Sequence, residues 1–119
     1  YVRSGHKDHG RQNQIEGKME PGTKVVVIED LISTGGSVLE VVDVLRQAGA
    51  QVLGIASIFT YGLQKGVERL AAADVVNYSL SDFDTLSKVA AAEGYIADKD
   101  IAKLTAFQKN PQNPAWMKL

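Results

Sequence analysis

The sequence predicts an α/β protein with an open parallel sheet flanked by helices. Three observations carry that expectation. Val25–Ile28 is a short apolar, β-branched run, the pattern of a strand buried on both faces. A stripe of apolar residues at helical spacing follows it within a dozen residues. A second apolar run, Gln51–Phe59, comes next, and strand, helix, strand implies a right-handed parallel crossover. With 119 residues, one domain is the expectation.

In chain order, Tyr1-Val2 ends a central strand. Residues 3–13 then hold almost no apolar side chain, and their glycines are Gly5 and Gly10. Such a segment between strands reads either as a surface hairpin with solvated charges or as a flexible β-hairpin lid over a site. Arg3, Lys7, Arg11, His6 and His9 face the single acid Asp8, so the lid is basic in a slightly acidic chain. Gln14–Met19 is the returning arm, and Glu20-Pro21-Gly22-Thr23 is a turn. Ser37–Ala48 is a helix with Val38, Val41, Val42, Leu45 and Ala48 on one face and Gly49 as its C-terminal cap. Leu63–Ala72 is a shorter helix, and Asp74–Tyr78 the last strand. Ser81 is placed as the cap of a helix running to Glu93, with Asp84 completing a capping box and Phe83, Leu86, Val89 and Ala90 as the apolar face. A final helix from Asp98 or Lys99 turns Ile101, Leu104 and Phe107 inward and ends at Asn110-Pro111. Trp116 in the tail packs on the body or on a partner subunit.

The chemistry concentrates after the first buried strand. Glu29 and Asp30 stand where that strand is expected to end, followed by Ser33, Thr34, Gly35, Gly36 and Ser37 and then the helix. A helix N-terminus presents free N–H groups and partial positive charge to an anion. Gly35 and Gly36 let the backbone approach a phosphate and take positive φ, and the hydroxyls add donors. Carboxylates beside a phosphate repel it, so the acid pair needs another task. The vicinal hydroxyls of a ribose 5-phosphate suit it. Neither G-x-x-x-x-G-K-[ST] nor a G-x-G-x-x-G after a strand is present.

Composition excludes several classes. A net charge of −1 argues against a general nucleic-acid or membrane-surface binder. Without cysteine there is no disulfide, thiol nucleophile or Cys-ligated metal. No apolar run reaches membrane-spanning length and no signal-peptide pattern opens the chain, which suits a cytoplasmic domain.

The run Val-Ile-Glu-Asp-Leu-Ile-Ser-Thr-Gly-Gly-Ser, ending at Ser37, resembles the phosphoribosyl diphosphate (PRPP) loop of type I phosphoribosyltransferases. Arg3-x-x-x-Lys7-x-His9-Gly10 and Asn13–Gly17 resemble the catalytic loop of the orotate type and the segment after it. The resemblance implies a type I phosphoribosyltransferase-like core, with 1–119 as a single partial domain lacking the N-terminal hood and first strands. It also implies a cytoplasmic enzyme of pyrimidine biosynthesis that transfers a phosphoribosyl group from PRPP to orotate. PRPP binding falls on Arg3, Lys7, His9, Glu29, Asp30, Leu31, Ile32, Ser33, Thr34, Gly35, Gly36 and Ser37. Ser33 also contacts orotate, and Lys7, His9 and Asp30 are the candidate catalytic residues. Mg²⁺ is the implied cofactor, held mainly by substrate and water, with no protein ligand set assigned. A homodimer is implied, its lid residues reaching the neighbouring site. Relatives place an Arg for the orotate carboxylate where this chain has Tyr61-Gly62-Leu63, so that contact is not carried over and Tyr61 is assigned to packing. The isolated 119 residues are expected to lack turnover. The rivals are a purine phosphoribosyltransferase, disfavoured by the Arg3–His9 pattern, and a non-catalytic PRPP sensor, disfavoured because Arg3, Lys7 and His9 are kept.

Overall fold

The computed structural model describes residues 1–3 and 14–119. Its elements run β1 (Lys24–Ile32), α1 (Gly36–Gln47), β2 (Gln51–Thr60), α2 (Gln64–Ala72), β3 (Asn77–Asp82), α3 (Phe83–Ala92) and α4 (Asp100–Lys109), and then a 3₁₀ turn at Pro114–Lys118. The strands form one parallel sheet in the order β1-β2-β3. This is the α/β architecture the sequence predicts.

The first helix forms as its spacing demands. Val38, Val42 and Leu45 of α1 are buried against Val27 and Ile55 of the strands, with Ala50 and Val75 closing the same core. Gly49 lies just past the helix at φ 92° and its N–H returns to the Arg46 carbonyl. Pro21 packs beneath it: a Cβ at Gly49 would sit 3.0 Å from the Pro21 Cβ. Thr23 closes the preceding turn through its N–H to the Glu20 carbonyl.

Several expectations need correction. The first strand is not buried on both faces. Val26 is 52% and Ile28 78% exposed, and they alternate with half-buried Val25 and buried Val27. Right-handed crossovers in a monotonic strand order put α1 and α2 on the same face, which leaves the other without cover among the described residues. Nor does the strand stop at the acids; it continues to Ile32, still paired with β2 at Leu31↔Phe59 and Ile32↔Thr60. Val2 joins no sheet among the described residues. It forms an isolated antiparallel bridge with Ile15, flanked by hydrogen bonds from Arg3 N–H to Gln14 and from Glu16 N–H to Tyr1. The two arms expected at the base of the lid do meet, while residues 4–13 lie outside the described residues.

The last strand is Asn77–Asp82, later than expected. Asp74 sits in a turn at φ 52°, and the Arg46 guanidinium grips the Ala73 and Asp74 carbonyls there at 2.6 and 3.0 Å. The cap of α3 is Asp82, not Ser81: its carboxylate accepts the Thr85 N–H at 2.8 Å. Ser87, not the Leu86–Val89 pair, is the buried side chain of α3, with its hydroxyl returned to the Phe83 carbonyl. The C-terminal layer is tied down by aromatic contacts instead. Phe59, Tyr61, Phe83, Phe107 and Trp116 form a chain of rings with successive centroids 5.3, 5.6, 6.1 and 5.3 Å apart. Tyr61 and Trp116 thus pack within the body, and Gln108 adds a hydrogen bond to the Tyr61 carbonyl.

Two stability experiments follow from this layout. Ile55 is 1% exposed at the centre of the core. Ile55→Ala is therefore expected to lower the unfolding free energy by ~2–5 kcal/mol in urea titration. The Thr85 N–H and hydroxyl hold the Asp82 carboxyl below its usual range. That contribution is present above the ordinary aspartate value and fades as pH falls through the lowered one. Asp82→Asn should flatten the acid limb of the stability–pH curve, read as melting temperature at successive pH values.

Candidate functional site

β1 delivers its C-terminal end directly into a turn, Ser33-Thr34-Gly35, and Gly36 opens α1. Gly35 makes this junction at φ 83°, in the left-handed region where a side chain is strained. It also occupies the capping position, so no side chain takes up the first amides of α1, and the first turn carries no acid. Residues 31–38 wrap a cup of about 160 Å³. An uncapped helix start at the wall of a small polar cup presents N–H donors to an anion. Ser33, Ser37 and Gly36 are exposed there, while Ile32 is buried in the core and offers the cup only backbone.

Glu29 and Asp30 sit just before the cup. The Asp30 N–H donates to Glu29 Oε1 at 3.1 Å, and the Leu31 N–H to Asp30 Oδ1 at 2.7 Å. Partial burial, reinforced by the neighbouring Asp30 carboxyl, pushes the Glu29 carboxyl up. Hydrogen bonding with Glu29, and then with the Leu31 N–H, holds Asp30 down. The two neighbouring carboxyls thus differ in proton affinity, with Glu29 shifted up and Asp30 shifted down. Oxygen acceptors of this kind match sugar hydroxyls.

A wider cleft of about 640 Å³ adjoins the cup and shares Ser37 with it. Glu29 lines it from β1, while Tyr1, Val2 and residues 15–19 line it from the base of the hairpin. The structure therefore brings Glu29, Ser37 and the hairpin base to one cavity. Arg3 is paired with Glu16 beside it. Lys7 and His9 lie outside the described residues. Among the described residues no group of three His, Cys, Asp or Glu could hold a metal ion, and no helix is long and apolar enough to cross a membrane.

Two residues at the cup were not singled out from the sequence. Gly66 of α2 lies against the loop: a Cβ there would stand 2.7 Å from the Ser33 carbonyl oxygen. Arg69, one turn on, donates from Nη1 to the Thr34 carbonyl at 3.3 Å. A signal existed, because a glycine in the interior of a helix costs up to ~1 kcal/mol and so usually has a packing reason.

Fold and site together define an open parallel α/β domain with a polar cup where its first strand meets its first helix. The phosphoribosyl transferase domain family matches residues 3–89, and the chain belongs to that family. An orotate phosphoribosyltransferase of Bacillus cereus is 59% identical over 117 residues, 98% of this chain and 56% of the relative. A Bacillus cytotoxicus protein of the same name is 58% identical over the same span. The chain thus spans a little over half the length of these curated relatives. Among solved structures, orotate phosphoribosyltransferase from Aeropyrum pernix superposes with a TM-score of 0.66 at 31% identity, covering 82% of this chain and 52% of that one. Leishmania donovani UMP synthase gives the same TM-score at 26% identity, over 82% of this chain and 22% of that one.

The raised Glu29 carboxyl has a stability consequence. A folded value above the unfolded one favours the fold at acid pH, and this advantage disappears as pH rises through the folded value. Glu29→Gln stays neutral throughout. It should melt at or above the wild-type temperature at pH 7, and the difference should shrink as pH falls below the ordinary glutamate range.

Proposed function

We propose that this chain carries the PRPP-binding core of an orotate phosphoribosyltransferase. Its best support is the cup of residues 31–38 preceded by the Glu29–Asp30 pair, in a chain 59% identical to a relative of that name. In this reading the 5-phosphate sits on the Thr34–Ser37 amides and hydroxyls, and Glu29 and Asp30 accept from the ribose hydroxyls. Ser33 contacts orotate. A ring nitrogen of orotate, losing its N–H proton, attacks the anomeric carbon while the bond to diphosphate oxygen breaks, and the proton departs with the diphosphate. Orotidine 5′-monophosphate and diphosphate leave. The protein's work is to position the two reactants and to stabilise the departing diphosphate. Arg3, Lys7 and His9 do the latter, and expelling water from the site strengthens their effect.

Mg²⁺ suits this donor set: adjacent hard carboxylate oxygens, one held ionised, with the remaining ligands expected from substrate and water. Bound there, it would neutralise charge on the diphosphate. The same reading includes a cytoplasmic homodimer in which the Arg3–His9 segment serves the neighbouring subunit's site, supported by the Arg3-x-x-x-Lys7-x-His9-Gly10 pattern.

The intact polypeptide bearing this sequence, supplied with orotate, PRPP and Mg²⁺, is expected to release orotidine 5′-monophosphate and diphosphate in equal amounts by chromatography. Nucleotide formed from adenine or hypoxanthine instead would favour a purine enzyme, and PRPP binding without any product would favour a sensor. Lys7→Ala should lower kcat by ~10²-fold, the scale for removing one donor to developing charge.

A further inference from the structure

The anion cup depends on which way its peptide groups face, and α2 lies against the side that decides this. The Ser33 carbonyl oxygen is lodged against Gly66, where a Cβ would come within 2.7 Å. The next carbonyl, Thr34, accepts from Arg69 Nη1 at 3.3 Å. The same guanidinium nitrogen stands 3.6 Å from where a Cβ of Gly36 would lie, at the first residue of α1. No cis peptide bond occurs among the described residues. In a trans peptide the N–H points opposite to the C=O. Two successive carbonyls drawn toward α2 therefore turn the Thr34 and Gly35 N–H groups away from it. No hydrogen bond among the described residues takes up either N–H. Consecutive amides facing one way make a concavity suited to an anion.

We propose that α2 is the back plate of the cup, and that Gly66 and Arg69 are positioning residues for the phosphate of PRPP. This rests on the functional reading above. Gly66 admits the Ser33 carbonyl, which any larger residue would push back toward the ligand. Arg69 holds the Thr34 carbonyl and places a fixed cation behind the amides. Neither residue lines the cup itself; each acts through the loop backbone.

The test uses the intact polypeptide. Arg69→Met and Gly66→Ala should each raise KM for PRPP about ten-fold, the scale of one hydrogen bond to a charged group, while kcat changes by less than ~three-fold and, in Arg69→Met, KM for orotate is unaffected. Arg69→Lys should recover part of the loss. In amide NMR spectra, inorganic phosphate should shift the Thr34 and Gly35 signals of the wild type and move them much less in the two variants. Wild-type KM for PRPP together with a wild-type amide response in Arg69→Met would overturn the proposal, as would a general loss of kcat with no change in KM. Should Gly66→Ala fail to fold, the Met and Lys variants of Arg69 decide the matter by their order. A wild type that makes no orotidine monophosphate would sink the functional reading alone, and the phosphate-induced amide shifts would still decide the role of α2.

Discussion

Everything at the site depends on β1 and β2 running in the same direction and, after a shift between Val25 and Val26, keeping one register to their ends. Glu29 is level with Ser57, Leu31 with Phe59 and Ile32 with Thr60. The pairing continues one step beyond the strands, where the Tyr61 N–H reaches the Ile32 carbonyl at 3.0 Å. Both strands therefore end at the same edge of the sheet, the edge where open α/β sheets bind ligands. The helix after each strand starts from that edge. This is why α1 begins at the cup and why the first turns of α2 lie directly behind it.

The chain treats its helix starts differently. α3 begins under a carboxylate, with Asp82 accepting the Thr85 N–H. α1 begins under a glycine that has nothing to offer its amides. A serine or aspartate caps a helix from extended backbone, whereas Gly35 at φ 83° holds a conformation in which a side chain is strained. Leaving them open keeps the donors available for an incoming anion. The acids that would compete for those donors lie further back on β1, ahead of the cup, with Glu29 accepting the Asp30 N–H and Asp30 accepting the Leu31 N–H.

The fold class and the cup were legible because their signals are local. An apolar run, a hydroxyl- and glycine-rich turn and a 3.6-residue stripe each declare themselves within a dozen residues. What was missed depends on contacts distant in sequence. β3 starts three residues later than its apolar composition suggests, because Arg46 holds the Ala73–Asp74 turn from 27 and 28 residues away. The face of α3 was misjudged because Phe83 joins a ring stack that spans from β2 to the C-terminal tail, while Leu86 and Val89 stay exposed. Glu29 and Asp30 could be singled out from their neighbours, but their unequal affinity for protons arises only once the backbone brings the two carboxyls into one network. Gly66 left a faint trace as a glycine in a helix; Arg69 left none.

The bare face of the sheet has a practical corollary. Ile28, Ala56 and Tyr78 sit side by side across three strands, with Ile58 and Leu80 next along, and Tyr78 and Leu80 are 72% and 88% exposed. At the two edges of this face, β1 and β3 have no outer neighbour among the described residues. Greasy residues next to unpaired backbone invite strand-to-strand self-association. Handled by itself at high concentration, this polypeptide would be prone to clump, and a single charged residue in place of Leu80 is the simplest way to keep it dispersed without disturbing the cup.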